Sequence, residues 1–310
     1  MKAIRFHQYG DADVLGLEDA PLPRIGDGEL LIKVNSAGVN PADIQFRRGD
    51  YRDFVPLPLP FIPGWDVAGI VEAAGTDVGA FERGDAVFAM TDMSRDGAYA
   101  EYVAVRADQV ARAPTSLPLE HAAGVPLAAL TAWQALFDMA DLRSGQSVLI
   151  HAGAGGVGQF AIQLARRAGA HVICTASATN HDLLRELGAH QVIDYRAGDF
   201  AAGLEHLDVV LDTVGGATRE RSWPLLRAGG VLVAIAMPPP DEATAARHRV
   251  RAAMARVQPN GARLAQIGAL IDAGALKLVI DREFPLAEAA AAHRHSETRH
   301  ARGKIILRVA

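Results

Sequence analysis

Residues 147–151 form an apolar run of strand length that leads into Gly153, Gly155 and Gly158, and an amphipathic helical pattern follows over 157–168. Few folds use a strand, a G-x-G-x-x-G turn and a helix in that order. The spacing predicts a βαβ unit that brings an anion to a helix N-terminus. In that reading Gly153 permits the tight turn, Gly155 lets the backbone approach a pyrophosphate, and Gly158 lets the helix pack close on the strand. Gly153, Ala154, Gly155, Gly156 and Val157 are then the candidate cradle for a dinucleotide. The alternative is a strand-to-helix turn with no ligand.

The next apolar run, 171–176, ends in Ser177-Ala178-Thr179-Asn180. An NAD site usually places Asp or Glu about 20 residues past the glycines, against the ribose 2′-hydroxyl. None is present here. A carboxylate would repel a 2′-phosphate, whereas hydroxyls and an amide can donate hydrogen bonds to it. Ser177 and Asn180 therefore point to NADP(H). No Lys or Arg lies close by, since Arg185 is a turn and a half into the next helix. Each of the two can equally be a helix cap.

Around this core the chain has two textures. Residues 1–115 carry short Val/Ile/Leu runs (30–34, 67–73, 86–89) punctuated by Gly, Pro and Asp, the pattern of a β-rich domain. From about 116 onward helical and strand patterns alternate. Strands are expected at 171–176, 191–194, 209–213 and 230–234, with helices at 180–187 and 219–226, so the sheet should be parallel and doubly wound. Residues 241–256 and 264–273 read as helices, and 303–309 as a strand. The expected plan is a β-rich domain from 1–119 and 262–310, with an α/β domain over 120–261.

The 310 residues are 50% hydrophobic and carry a net charge of −5, which suits two packed domains and gives no electrostatic footprint for nucleic acid. Cys174 is the single cysteine, so there is no intrachain disulfide and a reducing compartment fits. The opening MKAIRFHQYG lacks a signal-peptide core, and no apolar stretch is long enough to span a bilayer. The expectation is a cytoplasmic protein without membrane contact.

Further motifs occur in order along the chain. They are Ala37-Gly38-Val39-Asn40-Pro41-Ala42-Asp43, Pro63-Gly64-Trp65-Asp66-Val67-Ala68-Gly69, Gly84-Asp85-Ala86-Val87-Phe88, Gly97-Ala98-Tyr99-Ala100-Glu101-Tyr102, Leu130-Thr131-Ala132, Leu187-Gly188-Ala189, Asp212-Thr213-Val214-Gly215-Gly216 and Gly303-Lys304-Ile305. Together with the glycine turn they resemble the medium-chain dehydrogenase/reductase superfamily, and within it the zinc-independent quinone oxidoreductase-like enzymes. The resemblance implies a GroES-like catalytic domain beside a Rossmann domain, NADP(H) as cofactor, and a homodimer. The apolar run 231–235 is compatible with edge pairing across a dimer interface.

The resemblance also distributes roles. Zinc members carry Cys, His and Glu where this chain has Asn40, Trp65 and Asp66, and a catalytic zinc needs about three such ligands. No metal site is therefore expected. His293, His295 and His300 are expected on a helix or loop surface. Asn40 lies beside the nicotinamide by resemblance, orienting the cofactor or donating to the substrate oxygen, or it only shapes the turn before Pro41. Asp43 would help hold that loop. Tyr51 is the nearest candidate proton donor, with packing as its alternative. Thr131, Tyr195, Asp212, Val214, Ala234, Ile235, Ala236 and Asn260 are candidate cofactor contacts. Phe46, Tyr51, Phe54, Trp65 and Met237 would line a pocket for a flat apolar acceptor, and Trp65 can equally be core.

Without a Lewis acid, alcohol oxidation is hard. A quinone or α,β-unsaturated carbonyl accepts hydride directly, and the oxyanion formed needs only hydrogen-bond donors and a proton. The expected activity is NADPH-dependent reduction of such an electrophilic small molecule. Two alternatives stand beside it: an NADPH-binding sensor or structural protein with little turnover, and a zinc alcohol dehydrogenase with unusual ligands.

Overall fold

The computed structural model describes residues 1–309, which divide into two compact units. One comprises residues 1–127 together with the chain from Pro259 onward, and the other spans Ala128–Gln258.

The first unit is β-rich. Strands β1 (Lys2–Arg5) and β2 (Gly16–Asp19) form an antiparallel ribbon. The main sheet is built on β3 (Glu29–Val39), whose two register shifts let it serve several partners. Antiparallel to it lies β4 (Asp66–Ala74), followed outward by β5 (Ala86–Met90) and β7 (Val110–Arg112). The first half of β3 also pairs with β6 (Tyr102–Arg106). At Gly69 a Cβ would lie 2.2 Å from the Lys33 carbonyl, so this crossing of β3 and β4 requires glycine. Alternating Leu30, Ile32 and Val34 on β3 meet Val67 and Val71 on β4 and Val87 and Ala89 on β5 in one buried cluster. The short helix α1 (Pro41–Arg48) leaves the end of β3, with Pro41 in its first turn and the left-handed Gly49 ending it. Helix α2 (Leu119–Ala122) comes next, and α3 (Pro126–Trp133) continues into a wider turn over Gln134–Met139.

The second unit is a six-stranded parallel sheet, as its alternating pattern predicts. Its strands are β8 (Ser147–Ile150), β9 (His171–Ala176), β10 (Gln191–Asp194), β11 (Leu207–Asp212), β12 (Leu226–Ala234) and β13 (Arg251–Met254). Their spatial order is β10-β9-β8-β11-β12-β13. Helices α4 (Gly156–Arg167), α5 (His181–Glu186), α6 (Gly216–Ser222) and α7 (Glu242–His248) connect them.

Two expectations fail here. The predicted helix over 241–256 stops at His248, where Arg249 turns left-handed (φ 55°), and 251–254 instead pairs with β12. An Ala-rich segment has helical propensity, but an open sheet edge overrides it by supplying the backbone partners. That same pairing makes β12 an interior strand between β11 and β13, so 231–235 is not an edge.

The chain then returns to the first unit. Helix α8 (Gly261–Asp272) precedes β14 (Ile280–Pro285), α9 (Ala289–Glu297) and β15 (Lys304–Arg308), and β15 adds to β3 opposite Ser36–Val39. His293 on α9 is fully buried rather than on a surface, whereas His295 pairs with Asp281 and His300 is exposed. The His293 ring joins α9 to α1. Arg47 can only donate, so its contact with His293 Nδ1 (3.3 Å) makes that nitrogen the acceptor and leaves the proton on Nε2. Nε2 donates to the Tyr99 hydroxyl (3.1 Å), which donates to Asp43 Oδ2 (3.2 Å). Burial pushes His293 down to about 3 and the buried Asp43 carboxyl, beside Asp66, up to about 7.

These two shifts oppose each other. Between pH 4 and 6.5 the unfolded chain has His293 protonated and Asp43 ionised, while the folded chain has the reverse. Asp43 therefore lowers stability as pH rises through this window, by about 1.4 kcal/mol per pH unit. Asp43→Asn removes that opposing slope. Urea midpoints of the variant should fall more steeply than wild type from pH 6.5 to pH 4; parallel profiles would contradict the buried ionisation.

Candidate functional site

All six strands of the second unit are parallel, so their carboxyl ends share one edge. Chain order runs outward from β8 through β9 to β10 on one side and from β11 through β12 to β13 on the other. The gap between β8 and β11 is thus the topological switch point where an open α/β sheet takes its ligand. The glycine turn leaves β8 at that point. Gly153 to Val157, Ser177, Asn180, Tyr195, Val214, Ile235 and Ala236 follow strand ends on this edge, and Asp212 and Ala234 are the last residues of β11 and β12.

The glycines divide the labour differently from the sequence reading. None of the three has a positive φ; the left-handed residue of the turn is Ala152 (φ 48°). Gly153 is small for packing, since a Cβ would sit 3.0 Å from the Cys174 Cβ and 3.1 Å from Ile162. Gly158 is required more strictly, with a Cβ 2.5 Å from the Ala152 carbonyl and 2.7 Å from that of Gly153. Gly155 is the open one, where a Cβ would meet only the Ala152 carbonyl at 3.3 Å. The space beside it faces the first turn of α4, whose leading N–H groups have no helical acceptor. An anionic pyrophosphate fits that combination of room, N–H donors and helix dipole.

A buried relay beneath the turn escapes sequence reading. His151 bonds Thr175 Oγ1 (3.1 Å) and Ser222 Oγ (2.9 Å). Ser222 gives its proton to the Thr218 carbonyl, so it accepts from His151 Nε2–H, and Nδ1 accepts from Thr175. Thr175 Oγ1 in turn accepts the Ala152 N–H at 3.3 Å. Burial pushes His151 down to about 4, keeping it neutral and in that tautomer.

At the β9–β10 corner, Asp194 pairs with Ala176, so Tyr195 and Ser177 leave adjacent strand ends. Neither Ser177 nor Asn180 caps a helix with its side chain. The Asn180 amide donates to Ser177 Oγ (3.1 Å), and Ser177 Oγ lies 3.2 Å from Thr179 Oγ1. Tyr195 is 48% exposed, with the Arg196 guanidinium 5.5 Å from its ring centroid and Arg196 Nε donating to its hydroxyl. Arg196 is thus a cation two residues past the β10 strand end, which strand pairing sets beside the end of β9.

Asp212 has its carboxylate engaged within the protein. It is fully buried, and it accepts from the N–H groups of Val214 (3.0 Å) and Gly215 (2.7 Å) and from Arg219 Nε (2.6 Å). Arg219 also donates to the carbonyls of Ala236 and Pro238. This ion pair ties the loops after β11 and β12 together. Ala234 is buried, Ile235 and Ala236 are half-buried, and Val214 is 46% exposed. Thr131 is buried in α3. Asn260 belongs to the first unit, where its side chain caps α8 by accepting the Arg263 N–H (2.8 Å).

In the first unit, Asn40 and Asp66 meet a residue the motif reading left without a role, Lys304. Asn40 Nδ2 donates to Asp66 Oδ2 (2.8 Å), and Lys304 Nζ donates to both Asn40 Oδ1 and Asp66 Oδ2 (3.0 Å to the latter). All three residues are buried, and Asp66 Oδ1 takes the Leu127 N–H at 2.6 Å. Asp43 Oδ2 accepts the Asn40 N–H (2.6 Å), so it does hold the loop. The Tyr51 hydroxyl donates to Gln45 Oε1 (3.1 Å), which engages the proton it was expected to give. Phe46 packs against both Tyr51 (5.0 Å between centroids) and Trp65 (4.6 Å). Of the other two residues expected at the pocket, Phe54 (79%) and Met237 (40%) are exposed. Among the described residues no three His, Cys, Asp or Glu side chains gather as metal ligands would.

Comparison with known proteins agrees with this geometry. Residues 26–115 match the alcohol dehydrogenase GroES-like domain, and residues 187–307 match a family described as zinc-binding dehydrogenase. An NADPH-dependent alkenal/one oxidoreductase of Arabidopsis thaliana is 35% identical over 99% of this chain and 79% of its own. The quinone oxidoreductase from Coxiella burnetii superposes with a TM-score of 0.91 at 37% identity, covering 100% of this chain and 99% of that one. The Escherichia coli quinone oxidoreductase, solved with NADPH, gives 0.89 at 28% identity with both chains fully covered.

The glycine geometry separates two variants. Gly155→Ala should keep the urea midpoint of wild type and weaken dinucleotide binding at least tenfold, because the new methyl occupies the open space. Gly158→Ala should lose about 1–3 kcal/mol of stability to overpacking. Equal effects of the two in urea titration and fluorescence binding would refute this division.

Proposed function

The chain belongs to the zinc-independent, quinone oxidoreductase-like family of medium-chain dehydrogenases/reductases, and on that footing we propose that it is an NADPH-dependent reductase of quinones or α,β-unsaturated carbonyls. The carrying observation is the carboxyl edge of the parallel sheet, where the turn at Gly155 follows β8 and the neighbouring β9 runs out into Ser177 and Asn180 with no acid of its own, beside Tyr195 and Arg196 at the end of β10. A pyrophosphate suits the first and a 2′-phosphate the second.

NADPH, when bound, supplies a hydride to the electron-poor carbon of the acceptor. The protein's own residues do the rest. The N–H groups of Gly156 and Val157 receive pyrophosphate charge, and Arg196 with the Ser177 and Tyr195 hydroxyls receives the 2′-phosphate. Asn40 keeps one Nδ2–H beyond its bond to Asp66, free to meet a substrate oxygen. Asp66, at the position where zinc relatives place a ligand, spends its carboxylate on Lys304, Asn40 and the Leu127 N–H. The activities printed for the Arabidopsis and Coxiella relatives support an enone or quinone acceptor. The buried lone Cys174, pushed up to about 12 by burial, suits a reducing cytoplasm. A homodimer is part of the same reading. No helix among the described residues is long and apolar enough to cross a membrane.

Purified protein should oxidise NADPH with at least one member of a panel of quinones, enones and alkenals. Tight NADPH binding with no turnover across the panel would instead favour a sensor or structural role. Wild type should bind NADPH more tightly than NADH, and Arg196→Glu should raise the NADPH Kd at least tenfold while leaving that of NADH near wild type. Equal wild-type affinities would defeat the assignment of this corner.

A further inference from the structure

Lys304 opens β15, one residue before Ile305, which pairs with Val39; Asp66 opens β4 opposite Gly38. Strand register therefore brings Asn40, Asp66 and Lys304 together at one end of the three adjacent strands β15, β3 and β4. Each member bonds the other two, closing a ring that water does not reach.

The donor chemistry fixes the Asn40 amide. An ammonium only donates, so the Asn40 atom facing Lys304 is the oxygen. A carboxylate only accepts, so the atom facing Asp66 is the nitrogen. A flipped amide would set its NH2 against the ammonium and its oxygen against the carboxylate, losing two bonds to charged partners in a buried site. After these bonds Asn40 Nδ2 retains one N–H with no partner among the described residues, and the ring determines which way it points.

We propose that Lys304 is a positioning residue of the reductase, acting through Asn40: its ammonium locks the amide so that the remaining Nδ2–H is presented in one fixed direction, to the substrate oxygen. The inference rests on the reductase reading for its consequence, though the locking itself does not. A simpler role for Lys304 is charge balance, since a lone buried Asp66 is costly. The two roles differ in what removing both charges does. A neutral pair restores balance and leaves the amide unlocked.

The test compares Lys304→Met, Lys304→Arg and the double variant Asp66→Asn/Lys304→Met. For Lys304→Met, kcat should fall about 100-fold, the scale of losing one oriented donor, with the NADPH Kd within about threefold of wild type. Lys304→Arg, which keeps a donor cation, should recover part of kcat. The double variant should recover the melting temperature lost in Lys304→Met and leave kcat low. Recovery of both stability and kcat in the double variant would overturn the proposal in favour of charge balance. A second readout is independent of turnover: the Asn40 side-chain amide protons should exchange slowly with solvent by NMR in wild type and rapidly in the double variant. If wild type proves inactive on every acceptor, the reductase reading fails, and unchanged amide signals in the double variant would overturn the locking separately.

Discussion

A buried ammonium facing a buried carboxylate is the contact on which the first unit turns. Lys304 lies near the end of the chain, Asn40 and Asp66 near its beginning, and their ring closes the sheet that both ends of the polypeptide build. A pair of this kind does not justify itself as stability. Desolvation consumes most of the attraction, and apolar residues of similar volume often do as well. What it provides is direction: three donors and acceptors that fit in one arrangement. Around it, Asp43, Tyr99, His293 and Arg47 form a second chain of fixed polarity that carries the same order out to α9.

The second unit solves a related problem with little charge. Its glycine turn must be tight on the inside and open on the outside. The backbone of Ala152 and Gly153 crowds Gly158, while Gly155 is the least hindered of the three, close only to the Ala152 carbonyl. Beneath the turn, the neutral His151 ring fixes Thr175 and Ser222, and through Thr175 the Ala152 N–H. Asp212 and Arg219 hold the neighbouring loops from below. Both units thus spend buried polar groups on orienting backbone, and leave a small number of N–H groups for a ligand.

Much of this was legible in the sequence. The strand–glycine–helix order, the alternation of strands and helices over 147–234 and the absence of an acid after β9 each depend on short-range pattern, and short-range pattern survives folding. The failures share a cause. Alanine favours helix over 251–254, and a vacant sheet edge decides otherwise. The polar neighbours of His293 suggest a surface, yet α9 turns it into the core.

The sequence by itself determined that a dinucleotide turn sits on a parallel sheet and that the residues standing where zinc relatives carry ligands at Asn40 and Trp65 are poor ones. Those facts are carried by residue type and local spacing. Only the tertiary structure decided that Lys304 meets Asn40 and Asp66, that the β10 end carrying Tyr195 and Arg196 lies beside the β9 end at Ser177, and that Ala152 rather than Gly153 bears the left-handed backbone. Each depends on strand register or close packing between segments far apart in the chain, and no local pattern encodes which distant side chain will fill a buried partner's last hydrogen bond.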